Sequence, residues 1–68
     1  MNTSKIEKIH SSLVKGQRRQ MVKQIREYGE YDFFSDYKEF LENFYVEAES
    51  CLAYFTDCVI SYHRILNR

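Results

Sequence analysis

Proline and tryptophan are absent from this 68-residue chain, and glycine and cysteine occur only twice each. Few positions therefore oblige a helix to stop. Two cysteines are too few for a disulfide framework, and Cys51 and Cys58 lack the short paired spacing of zinc sites. No metal or cofactor is expected. No stretch approaches the roughly 18 apolar residues of a membrane span. The amino terminus, Met1-Asn2-Thr3-Ser4-Lys5, has no apolar run behind it, unlike a secretory signal. Unpaired thiols then fit a reducing cytoplasm. A chain this short makes one domain at most, residues 1–68. Such a chain buries a modest share of its surface, and without disulfides or metal the usual remedy is oligomerisation.

Net charge is also lacking, at zero, but the zero conceals a polarity. Residues 1–27 hold seven Lys and Arg against Glu7 and Glu27, giving +5, and residues 28–68 hold three against eight acids, giving −5. What the chain does have is apolar and aromatic content, 44% and 16%, far too rich for intrinsic disorder.

The second half carries the clearest pattern. Tyr37, Leu41, Phe44, Ala48, Cys51, Phe55, Cys58, Tyr62 and Ile65 alternate spacings of four and three, an apolar heptad seam that a strand cannot produce. A second stripe, Phe33, Phe40, Tyr45, Leu52, Val59 and Leu66, requires burial on more than one side. Gly29 suits the end of one helix and Asp32 the cap of the next. The spacing thus predicts a helix over about 33–66 after a turn at 29–32. In the first half, Ser4 with Glu7 forms a capping-box pattern. Ile6, Ile9, Leu13, Met21, Ile25 and Tyr28 share a face. Gly16 interrupts, at about 1 kcal/mol relative to alanine. It can be tolerated, kink the helix or divide it into two short ones, and one helix over about 4–28 that tolerates it is the favoured expectation.

The expected fold is all-α: an antiparallel two-helix hairpin in which residue i lies opposite residue 61 − i. That register sets Arg19 near Glu42, Lys15 near Glu47, and Lys23 and Arg26 near Asp36 and Glu39. It leaves the apolar residues beyond Cys58 overhanging, and a second copy would cover them in a four-helix bundle. Length, hairpin plan and heptad seam resemble the Rop family, small plasmid-encoded RNA-binding hairpins that dimerise into four-helix bundles. The resemblance is one of architecture, and none of that family's RNA-contacting residues is carried over.

Lys15, Arg18, Arg19, Lys23 and Arg26, interleaved with Gln17, Gln20 and Gln24, form the best candidate surface. Such a stripe can neutralise phosphates, meet an acidic protein partner or answer the acids of the second helix, and a pI near 6.7 favours the last use. Cys51 and Cys58 read as small buried hydrophobes. His10 maps near Cys51, but a catalytic pair needs an orienting group and an oxyanion hole that have no evident source. No catalytic residue and no small-molecule substrate is expected. Tyrosines left exposed, such as Tyr31, Tyr45 or Tyr54, are candidate anchors for another protein. The expectation is therefore a cytoplasmic, non-enzymatic homodimer acting as a regulatory or adaptor protein for a protein partner. A Rop-like RNA- or DNA-binding dimer using Arg18, Arg19, Lys23 and Arg26 is the alternative.

Overall fold

The computed structural model describes residues 2–68, and its regular structure is helical. Four helices follow one another: α1 Thr3–Val14, α2 Arg18–Tyr28, α3 Glu30–Phe44 and α4 Ala48–Leu66. Met1, where the amino-terminal reading begins, lies outside the described residues. The all-α expectation holds. The helix bounds differ, because each of the two expected helices is divided, and a Rop-like plan of two uninterrupted helices is not kept. Among the described residues no helix is long and apolar enough to cross a membrane.

Gly16 divides the first. Its φ of +77° is a left-handed conformation that costs an L side chain roughly 1–2 kcal/mol, so glycine is used there as a stop rather than tolerated within a helix. The Gly16 amide donates to the Leu13 carbonyl and the Gln17 amide to the Ser12 carbonyl, at 3.1 and 2.9 Å. This is the Schellman pattern, which satisfies carbonyls at a helix end. At the other end of α1 the cap is Asn2, whose Oδ1 accepts from the Lys5 amide at 3.2 Å. The expected Ser4–Glu7 capping box is displaced, because the helix already begins at Thr3.

Gly29, φ +110°, is by itself the joint between α2 and α3. The expected four-residue turn shrinks to one residue, and Asp32 lies inside the first turn of α3 instead of capping it. There it joins Glu30 at a helix amino terminus, where acids are favoured by the helix dipole.

The third joint has no glycine or proline. α3 ends at Phe44, Tyr45 and Glu47 are extended, and α4 starts at Ala48. The Cys51 thiol closes back on this break, donating to the Leu41 carbonyl at 3.2 Å and the Tyr45 carbonyl at 3.6 Å. It thereby adds a second donor to the Leu41 carbonyl, which also accepts the Tyr45 amide at 2.9 Å, and supplies one to the Tyr45 carbonyl beyond the helix end. The heptad seam crosses the break and loses its meaning there. Tyr37, Leu41, Cys58 and Tyr62 are buried, Cys51, Phe55 and Ile65 half-buried, and Phe44 and Ala48 exposed.

The core lies among all four helices. α1 packs on α2 and α3, and α4 packs on α2 and α3. Ile6, Ile9 and Leu13 of α1 meet Met21, Val22 and Ile25 of α2, with Phe33, Tyr37, Phe40 and Leu41 of α3 and Cys58 and Tyr62 of α4. The first-half apolar face is thus as expected, with Tyr28 half-buried at its edge. The overhang beyond Cys58 is partly covered within the chain: Tyr62 is buried, packs on Phe34 at 5.4 Å and donates to Glu30 Oε2 at 2.9 Å.

Candidate interaction surfaces

Arg18 and Arg19 open α2, a helix whose first turn contains no acid and whose Gln17 cap makes no side-chain hydrogen bond. Arg18 turns toward α4. Its Nε donates to Ser61 Oγ at 3.1 Å and its Nη2 pairs with Asp57 at 3.3 Å, while Ser61 donates to Asp57 at 3.0 Å. This is the one ion pair among the described residues. The hairpin register, which would set Arg18 opposite Asn43, does not apply, because the break at Gly16 separates the course of α1 from that of α2. None of the expected pairs of Lys15, Arg19, Lys23 or Arg26 with acids of the second half forms.

The cations gather along adjoining recesses instead. Arg18 and Arg19 share a recess of about 690 Å³ with Arg64 and Arg68 from the end of α4. Lys15 and Lys8 line a neighbouring recess that meets the first at Gln17 and Gln20. Arg19 also borders a third, with Lys23 and Arg26. Arg64 and Arg68 were not visible as members from sequence, since the contact between the start of α2 and the end of α4 depends on both unexpected helix breaks.

A second surface lies at the break between α3 and α4. Leu41, Tyr45, Val46, Cys51, Leu52 and Phe55 line a groove of about 350 Å³, with Lys38 and Glu42 at its rim. Val46 is fully exposed, and Leu52 and nearby Phe44 are 67% and 60% exposed. The sequence pattern assigned Leu52 and Phe44 to apolar stripes. The Tyr45–Glu47 break, unmarked by any helix-stopping residue, turns them outward.

His10 forms an internal cluster that the sequence reading missed. Its two ring nitrogens hydrogen-bond to the hydroxyls of Tyr37 and Tyr45, each at 2.7 Å, and its ring meets Tyr54 edge-on at 4.9 Å. In the neutral imidazole one nitrogen donates and the other accepts. Burial holds the His10 pKa below its ordinary 6.5. With both nitrogens engaged by tyrosines, His10 does not pair with Cys51, whose thiol hydrogen-bonds to backbone carbonyls. Tyr45 and Tyr54 are correspondingly half-buried, and of the three expected anchors Tyr31, 95% exposed, stands free in solvent. Cys58 is buried against Met21, its sulfur 3.9 Å from the thioether. Desolvation pushes its thiol up to about 12, which keeps it protonated and poorly nucleophilic at neutral pH.

Comparison with protein families, with curated proteins and with solved structures finds no significant match to this chain.

Proposed function

We propose that this protein is a non-enzymatic helical interaction module that works as a homodimer, in a regulatory or adaptor role, and that copies meet through the groove between α3 and α4. The observation that carries the reading is the exposure of Val46 and Leu52 in the lining of an apolar groove, with Phe44 exposed at the end of α3 beside the same helix break. Grouped exposed apolar side chains on a small protein mark interaction surfaces. The rim supports a second copy as the occupant. Lys38 and Glu42 lie one helical turn apart on α3, so a twofold contact across the groove can set each opposite its complement on the second copy. A standard interface takes about 800 Å² from each partner, a sixth of this chain's 4767 Å². A reducing cytoplasm suits the two free thiols.

Sedimentation equilibrium tests the reading. The wild type is expected near twice the 8.3 kDa chain mass, and Leu52→Glu and Val46→Asp are expected to give monomers of unchanged helicity. A wild-type monomer at high micromolar concentration overturns the dimer. A dimer that survives both substitutions moves the interface away from the groove.

A further inference from the structure

We infer that the recess shared by Arg18, Arg19, Arg64 and Arg68 is the anchor of a track that binds the phosphate backbone of nucleic acid. Two helix ends remote in sequence supply it, the start of α2 and the end of α4. Arg18 is braced there by Ser61 and Asp57, which cuts the cost of ordering a long side chain. Arginine's planar fork suits phosphate oxygens. Asp57 answers Arg18 alone, and the lining side chains contributed by acids are none in this recess.

The surface is longer than a single phosphate needs. The adjoining recesses carry Lys8 and Lys15 on one side and Lys23 and Arg26 on the other. Eight of the chain's ten Lys and Arg residues therefore line one connected surface, with Glu27 as the acid among them. Asp57 borders the track, paired with Arg18, and beyond Glu27 no acid lines the three recesses, so the neutral chain presents a cationic track that its net charge and pI conceal. Gln17, Gln20 and Gln24 add amides that can reach sugars. Cations and amides in this proportion contact backbone more than base edges, so binding is expected to be largely independent of sequence. The track includes none of the residues lining the α3–α4 groove, so the inference stands apart from self-association.

Fluorescence anisotropy with a fluorescein-labelled, mixed-sequence single-stranded DNA oligonucleotide tests it on the full chain. Four phosphate contacts give a log–log salt slope of about −3, which is about a fifty-fold weakening between 50 and 200 mM salt. Arg64→Gln with Arg68→Gln removes two exposed cations without touching the Arg18 brace. That variant is expected to keep its helical circular dichroism and roughly halve the slope. Lys5→Gln, a cation that lines none of the three recesses, is expected to change neither. Absence of binding, binding indifferent to salt, or a wild-type slope in the double variant overturns the inference. Equal competition by polyglutamate also overturns it, in favour of an acidic protein partner.

Discussion

The two halves of the molecule use their apolar residues in opposite ways. In α1 and α2, Ile6, Ile9, Leu13, Met21, Val22 and Ile25 are all buried, and Val14 is the one large apolar side chain left out. α3, α4 and the break between them hold all five phenylalanines and five of the six tyrosines, yet they leave Tyr31, Phe44, Val46, Leu52, Ile60 and Leu66 exposed. The poorer half commits all but Val14 to the core, and the richer half carries a surplus, part of it around the break between α3 and α4. A seam that looks continuous in sequence thus serves two purposes: up to Leu41 and again from Cys58 it builds the core, and between them Phe44 and Ala48 face solvent while Cys51 and Phe55 are half-buried at the groove.

The largest effect that can break this comparison is at Tyr37. Its ring is fully buried, stacks on Phe33 at 5.1 Å and packs on Phe55 at 6.4 Å, while its hydroxyl reaches His10. Tyr37→Ala is expected to cost about 3–5 kcal/mol, comparable to the whole stability of a domain this size. Urea denaturation should find the variant largely unfolded in buffer. A loss near 1 kcal/mol would mean that the core is not centred on α3.

Gly16→Ala separates two descriptions by sign. Within a continuous helix alanine would stabilise by about 1 kcal/mol. At φ +77° it is expected to destabilise by about 1–2 kcal/mol, since the space around the new Cβ is open, with Arg18 at 3.7 Å as its neighbour. Thermal melting of the pair decides it.

The same residue shows what was legible in the sequence. The 3–4 spacing of Ile6, Ile9 and Leu13 and of Phe33, Tyr37 and Leu41 gave the helical class and most of the core, because periodicity reports burial directly. Gly29 was visible as a helix end, but Gly16 reads as tolerated within one helix, because whether glycine interrupts or ends a helix depends on dihedral angles that composition does not encode. The Tyr45–Glu47 break had no local signal at all. It is held by tertiary bonds, Tyr45 to His10 and the Cys51 thiol to two carbonyls. Both candidate surfaces depend on these breaks, so Arg18 and Arg19 could be read as basic residues while their neighbours Arg64 and Arg68 could not.

A smaller effect should follow pH. His10 is held below 6.5 by burial, so between its folded and unfolded values the folded state binds fewer protons than the unfolded one. Stability therefore rises with pH across that window and is lost as pH falls through about 6.5 toward the lowered value. The melting temperature is expected to be lower at about pH 5.5 than at about pH 7.5, and His10→Gln should remove that part of the difference. An unchanged pH profile in the variant would place the titration elsewhere.

The smallest expected effect is at Phe44, and its smallness is the point. The heptad pattern ranks this ring with Tyr37 as a core residue, and a buried phenylalanine would cost about 3–5 kcal/mol on truncation to alanine. Phe44 is 60% exposed and keeps one close aromatic neighbour, Phe40 at 4.8 Å. Phe44→Ala is therefore expected to cost less than about 1 kcal/mol in dilute protein, where the monomer is read. Self-association changes the outcome with concentration, because a dimer stabilises the folded chain by mass action and truncating its contact surface removes that gain. Melting the wild type and Phe44→Ala at low and high micromolar protein should show the gap between them widening with concentration. A gap that is small and constant would leave Phe44 as a solvent-facing ring outside the interface, and a gap that is large at every concentration would return it to the core.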